Sequence, residues 1–296
     1  MELINIKTFI QVVESGSVAK AAQTLQYAQS TVTAQIKALE KELGFPLFER
    51  IGRKNYLTKE GNEFLRYANE LNYIFEKVSN VGHESKDASF SLRIGVLQSL
   101  LFCTLIDVIP IFKKEYPNAQ ISLKTNNTLE LLKMLQENQI DLAYISSPLN
   151  DDPSLVRLYS RKENMVFVSG TKHELVGRKN VSLDEALDYP FVLTEPFGQS
   201  YQTFCNIVSK ASKPFKCSII LNDIVAISKF LRDNESLSFL SYPSIMHALK
   251  SNKVAIINVD VPETSQYSQI LARKNMWVSS AVNDLLSLIK EHSPEE

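Results

Sequence analysis

The sequence predicts a two-part chain. An N-terminal all-α winged helix-turn-helix carries a linker helix, and a longer α/β part follows, folded as two subdomains. Three observations predict this. Apolar residues recur at helical spacing three times within residues 3–43, ahead of a basic hairpin. A heptad pattern runs from Phe64 to Val78, and strand-like and helix-like segments alternate from Phe90 onward.

With 296 residues the chain has length for two or three domains, and 44% hydrophobic residues suffice for ordinary cores. Apolar runs such as that from Ser99 are broken by Asp107 and Pro110, which argues against a membrane span. Residues 1–11 show no basic leader ahead of an apolar stretch, so the expected location is the cytoplasm. Cys103, Cys205 and Cys217 are too few and too widely spaced for a disulfide framework or a zinc site, and no metal or cofactor is expected. The net charge of −1 gives no global reason to expect nucleic acid.

In the first helix Leu3, Ile6, Ile10 and Val13 form the expected inward stripe. After Gly16, Ser17 is placed to cap a short helix with Val18, Ala21, Ala22 and Leu25 inward, and Gln26-Tyr27-Ala28 break it. The third helix, from about Gln29 to Leu43, has two faces. Val32, Ile36, Leu39 and Leu43 are its apolar stripe, while Gln29, Thr33 and Lys37 project together from another side, flanked by Ser30 and Ala34. Amide, hydroxyl and ammonium groups on one stripe suit base edges and phosphates in a major groove. Such a stripe alone is more often a solvated face. Its position after a short helix and a tight turn, over Val18 to Lys37, turns the reading toward helix-turn-helix geometry. Gly44-Phe45-Pro46 then end the helix. The hairpin LFERIGRKNYLT presents Arg50, Arg53 and Lys54 on a wing able to meet phosphates or a minor groove.

The stretch SVAKAAQTLQYAQSTVTAQIKALEKELGFPLFER, followed by LTKEG, closely resembles the DNA-binding domain of LysR-type transcriptional regulators. Matching residues include the Ala21-Ala22 pair, Gln29, Leu39-Glu40, Leu43-Gly44, Leu47-Phe48, Arg50, Thr58 and Gly61. The family commonly opens this helix with Ser-Gln-Pro-Ala, where this chain has Ala28-Gln29-Ser30-Thr31, so contacts at Ser30, Thr31 and Ala34 do not carry over directly.

Thr58 is placed to cap the next helix, and Phe64, Ala68, Leu71, Phe75 and Val78 recur at spacings of four, three, four and three, an expected dimer seam. The polar segment 82–87, with His83, reads as a hinge. Strands are then expected at SLRIGVL, AQISLKT and DLAYIS with helices between them, and a second set of strands and helices runs to about 265 before QYSQILARK and a final helix close the chain. The resulting divisions are 1–58 for the winged helix-turn-helix, 59–87 for linker and hinge, and 88–296 for the α/β part. Within that part 88–161 with 266–296 form one subdomain and 162–265 the other. Strand carboxyl ends and helix starts place Gln98, Ser99, Leu100, Asn127, Thr128 and Ser146, then Thr194, Phe197 and Asp223, where a ligand would collect, although each is equally explicable as a helix cap.

This order also resembles the effector-binding domain of the same family, itself similar to periplasmic solute-binding proteins. The family turn Gly-x-Gly is replaced by Asn234-Glu235-Ser236, where Asn234 can adopt a left-handed conformation. The resemblance implies a homodimer or homotetramer, double-stranded DNA and RNA polymerase as partners, and a small-molecule effector, with a carboxylate or other anion suited to the helix starts. Three other readings compete with this one. An enzyme lacks a phosphate loop, a nucleophile elbow and clustered histidines. A free solute-binding protein is opposed by the appended helix-turn-helix. A thiol-based redox sensor using Cys205 and Cys217 lacks a neighbouring His or Arg to mark a lowered thiol pKa.

Overall fold

The computed structural model describes residues 1–51, 54–79, 86, 89–196, 198–262, 266–276 and 278–293, without the side chains of Ile51, Lys54, Glu76, Lys77 and Ser79. Arg53, Phe197, His83 and most of the expected hinge thus lie outside the described residues, as does the side chain of Lys54. The chain divides into two compact units, Met1–Ser85 with Gln136–Gln139, and Lys86–Leu135 with Ile140–Glu296.

The first unit runs α1 (Leu3–Ser15), α2 (Val18–Leu25), α3 (Gln29–Leu43), β1 (Phe48–Ile51), β2 (Lys54–Leu57) and α4 (Lys59–Ser79). Its core gathers Ile6, Phe9, Val12, Ala21, Ala22, Val32, Ile36, Leu39, Leu47, Phe64 and Ala68. The expected stripe on α1 is shifted: Phe9 and Val12 lie at its centre, with Ile10 and Val13 only partly buried. The reason is that α1 meets α2, α3 and α4 at once, so its inward face is broad enough to bury Thr8 as well. Thr8 is tolerated because its hydroxyl donates to Gln35 Oε1 at 2.9 Å.

The seam expected on α4 is also divided. Phe64 and Ala68 are taken up by the core of their own unit, whereas Leu71, Phe75 and Val78 are exposed, Val78 by 64%. Exposed Tyr67 and Ile74 join the latter three, so the outward apolar stripe is Tyr67, Leu71, Ile74, Phe75 and Val78.

Polar joints fix the wing to the helices. Glu40 Oε1 accepts from the Leu47 and Phe48 amides at 2.8 and 3.3 Å. Thr58 caps α4 by accepting from the Gly61 amide at 2.8 Å, and its hydroxyl donates to the Pro46 carbonyl at 2.8 Å. At Gly61 the helix start meets the wing so closely that a Cβ would sit 2.2 Å from the Leu47 carbonyl oxygen.

The second unit runs β3 (Ser91–Val96), α5 (Gln98–Leu100), a π-helical turn (Leu101–Leu105), α6 (Ile106–Glu115), β4 (Gln120–Thr125), α7 (Thr128–Gln136), β5 (Leu142–Ser147) and β6 (Leu155–Glu163). It continues with β7 (Met165–Gly170), β8 (Val181–Ser182), α8 (Leu183–Ala186), β9 (Pro190–Leu193), α9 (Gln199–Val208), β10 (Lys216–Ile220), α10 (Ile224–Arg232), β11 (Ser238–Ser241), α11 (Tyr242–Lys250), β12 (Val254–Ile257) and β13 (Val259–Asp260). It ends with β14 (Gln266–Arg273) and α12 (Ser280–His292).

One sheet has the order β4-β3-β5-β14-β6, with β3 parallel to β4 and β5, and β14 antiparallel to both its neighbours. The return of the chain near 265 is therefore the return of β14 into this sheet. Strand β6 has no counterpart in the sequence reading, because LVRLYSRKE alternates charged and apolar residues like a surface segment. In the other subdomain β7 lies antiparallel between β11 and β12, and the parallel pairs are β9 with β10 and β8 with β13. Asn234 is not left-handed; its Nδ2 donates to the Phe230 carbonyl at 2.9 Å, closing the turn through the side chain instead.

The close approach at Gly61 yields a prediction. Gly61→Ala should destabilise the chain by about 1–3 kcal/mol through forced displacement of the wing from α4. Urea unfolding measures this, and an unchanged midpoint would show that the joint relaxes freely.

Candidate functional site

In the first unit, α2 and α3 are joined by a three-residue turn. Gln26 is left-handed (φ 56°), and the Tyr27 amide donates to the Ala22 carbonyl at 2.9 Å. Ser17 caps α2 through the Lys20 amide at 3.1 Å. Val32, Ile36 and Leu39 are buried, which turns Gln29, Ser30, Thr31, Thr33, Ala34 and Lys37 to solvent. Thr33 uses its hydroxyl proton on the Gln29 carbonyl at 2.9 Å, so toward a partner it offers a lone pair and a methyl group. Strands β1 and β2 pair Arg50 with Asn55, and Arg50 is exposed. This unit thus presents a polar helix face and a basic wing, the combination that meets duplex DNA in helix-turn-helix proteins.

In the second unit the expected ligand residues are dispersed. Gln98 is exposed and Ser99 half-buried, but Leu100 is a core residue at 3% exposure, because the first turn after β3 folds it under the sheet. Asn127 and Asp223 accept from the Glu130 and Ala226 amides at 3.0 and 2.8 Å, so both act as helix caps. Thr128 and Thr194 are half-buried, and the loops after β9 and β10 are tied by Asn222 Nδ2 donating to Glu195 Oε2 at 3.2 Å.

Ser146 leads to a residue that the sequence reading missed. Its hydroxyl donates to Glu163 Oε2 at 2.8 Å and accepts from Gln266 Nε2 at 3.0 Å. Glu163 is only 2% exposed, and its Oε1 has no hydrogen-bond partner among the described residues. Burial raises its pKa above the usual carboxylate range; the Ser146 and Ser268 hydroxyls and the Arg161 charge pull the other way without cancelling it. Glutamate at the end of a charged-looking strand carries no sequence signal of burial. Only the pairing of Glu163 with Gln266 across β6 and β14 creates the environment.

The chain matches two family models. Residues 86–294 match the LysR substrate binding domain, and residues 3–62 match the bacterial regulatory helix-turn-helix protein, lysR family. The chain belongs to the LysR family. The regulator is 29% identical over 299 residues to the HTH-type transcriptional regulator CzcR of Bacillus cereus, covering 99% of this chain and 98% of the relative. It is 24% identical to the HTH-type transcriptional activator CmpR of Synechocystis, covering 98% and 95%. By fold it is similar to full-length CbnR complexed with target DNA, at TM-score 0.64 and 19% identity, covering 99% of this chain and 100% of that one. It is likewise similar to a full-length OxyR variant from Pseudomonas aeruginosa, at TM-score 0.75 and 15% identity, covering 99% and 94%. The regulator is a LysR-type transcriptional regulator with a helix-turn-helix DNA-binding domain and an effector-binding domain, and its family is one of regulators rather than enzymes.

The three cysteines are free thiols, and no group of His, Cys, Asp and Glu among the described residues could hold a metal ion. Burial pushes the Cys103 thiol up to about 11 and raises that of Cys217, the direction opposite to activation. No helix among the described residues is long and apolar enough to cross a membrane.

Glu163 carries a prediction with a definite sign. A carboxyl whose folded pKa is raised contributes stability below its ordinary range and loses it as pH rises through the folded value. As pH rises above the ordinary carboxylate range the wild-type melting temperature should therefore fall relative to that of Glu163→Gln, which cannot ionise. Parallel curves in a fluorimetric melt would assign Glu163 an ordinary pKa.

Proposed function

We propose that the regulator acts in the cytoplasm as a homo-oligomer that reads paired half-sites in double-stranded DNA, and that a small-molecule effector alters this binding. Residues 1–58 are the reading domain, 59–87 the linker and hinge, and 88–296 the effector domain. The observation that carries the DNA reading is the exposed face of α3, with Gln29, Thr33 and Lys37 on one stripe and the apolar stripe locked inward. Gln29 is the base reader, since a side-chain amide can pair with adenine bidentately. Ser30, Thr31 and Thr33 flank it, and Lys37, Arg50, Arg53 and Lys54 meet phosphates.

Pairing of chains is supported by the exposed stripe Tyr67, Leu71, Ile74, Phe75 and Val78 on α4, a run of apolar side chains that water does not favour. Recruitment of RNA polymerase follows from the class of protein. The effector lies in residues 88–296, where two subdomains joined by adjacent strands can change their closure. It can shift that closure only by its differential affinity for the two states.

Three outcomes test these assignments. Gln29→Ala with Thr33→Ala should abolish specific binding in gel shifts of a footprinted operator while leaving the melting temperature unchanged. Retained specific affinity would remove α3 from base reading. Arg50→Ala should weaken binding about equally on all sequences and lower the magnitude of the salt slope by about 1. Altered base preference would instead place Arg50 in readout. Leu71→Glu with Phe75→Glu should shift the chain toward monomer in light scattering, and an unchanged mass would move the interface elsewhere.

A further inference from the structure

The division of the chain into two units is not a single cut. Gln136–Gln139, the turn between α7 and β5, packs with the first unit, while the rest of α7 and all of β5 belong to the second. Two features meet at this turn, one from α4 and one from β14, and neither is part of the face that reads DNA.

On α4 the feature is a pair of asparagines. Asn69 and Asn72 share one face with Leu65, beside the core face of Phe64 and Ala68 and apart from the exposed apolar stripe. Asparagine is a poor interior helix residue, because its amide competes for backbone groups, so its use in successive turns needs a reason. Asn69 supplies one. It is only 4% exposed, and its Nδ2 donates to the Glu137 carbonyl at 3.5 Å. A buried amide is kept where its donors are received.

The turn is held in shape from the other side. Asn138 takes the left-handed conformation at φ 59°, and Gln139 Nε2 donates to Glu137 Oε2 at 2.9 Å. From the last position of β14, Arg273 Nη1 donates to the carbonyls of Leu135 and Ile140 at 2.7 and 3.3 Å, the residues that flank the turn. One guanidinium thus gathers both shoulders, and a displacement of β14 is carried into the turn. Asn69 meets the backbone between those shoulders.

We infer that the turn Gln136–Gln139 is a latch on α4, with Asn69 engaging the Glu137 carbonyl and Arg273 keeping the turn in the shape that Asn69 engages. Engaged, the latch makes β14 and α4 move together. Released, it uncouples them. Because Gly61 and Thr58 join α4 to the wing without slack, the state of the latch bears on operator binding. Asn69 and Arg273 are positioning residues in this device, and it works without any ligand being bound.

The test is hydrogen–deuterium exchange of the full chain, read on peptides spanning residues 65–75 and 134–141, together with gel shifts on a footprinted operator. Asn69→Asp matches asparagine in shape and closely in helix propensity, but an ionised carboxylate cannot donate. It should raise exchange in 134–141 by about three- to tenfold, the loss of one net hydrogen bond. Arg273→Met should raise exchange in 65–75, across the turn, by a similar factor. Where Arg273→Met does not fold, Arg273→Lys, which keeps one donor region for two carbonyls, is read in the same way. The two substitutions together should do no more than either alone, because they release one contact. Operator affinity should shift by the same factor in both single variants and in the double. The latch is overturned if Asn69→Asp leaves 134–141 as in wild type, or if the Arg273 variant changes exchange only in its own sheet. Additive effects, or wild-type operator affinity throughout, would equally remove it.

Discussion

The second unit depends on the hydrogen-bond ladder of β14, which runs antiparallel between β5 and β6 along most of its length. The chain leaves the first subdomain at β6 and must come back to complete the same sheet. Exit and return are therefore neighbouring strands, with Glu163 opposite Gln266 at the point where both cross. A sheet buries its polar backbone only when every interior strand is paired, so the second subdomain cannot detach without loss of the centre of the first. The ends of β6 and β14 are thus the paired strands through which the chain leaves this sheet and returns to it. The chain Gln266–Ser146–Glu163 lies at that point and links β14, β5 and β6 through side chains as well as backbone.

The first unit meets a different constraint. Its recognition helix has no arginine among residues 29–43, and its outward groups are short and neutral apart from Lys37 and the charges near its C-terminal end. A helix face of this kind offers amide and hydroxyl groups suited to base edges and few cations for phosphates. Thr33 sharpens this, since its proton is committed to the helix backbone.

Much of the fold was legible in sequence, and the exceptions have physical reasons. Helices α2 and α3 declare themselves through Ser17, the Ala21-Ala22 pair and the stripe Val32, Ile36, Leu39, because local caps and periodicity are properties of the chain itself. The wing and the cap at Thr58 are equally local. What escaped is what requires knowledge of neighbours. The inward turn of Phe64 and Ala68 depends on where α1 lies, and the role of β6 depends on β14 arriving a hundred residues later. The candidate ligand residues divide the same way. Asn127 and Asp223 look like ligand donors until their backbone partners are seen, and Leu100 looks like a pocket wall until it is found in the core. Glu163 was invisible because its chemistry arises entirely from burial.

The contact at Gly61 has a mechanical consequence. With the Leu47 carbonyl against the first turn of α4, and Thr58 bonded to both Pro46 and Gly61, the wing and α4 share no free joint. A twist applied to the far end of α4 cannot be absorbed there. It is delivered to the hairpin as a rotation of the whole wing, so the 21-residue helix behaves as a torsion bar with the wing at its end. At about 1.5 Å per residue such a bar spans some 30 Å, and a tilt of a few degrees displaces its far end by about 1–2 Å.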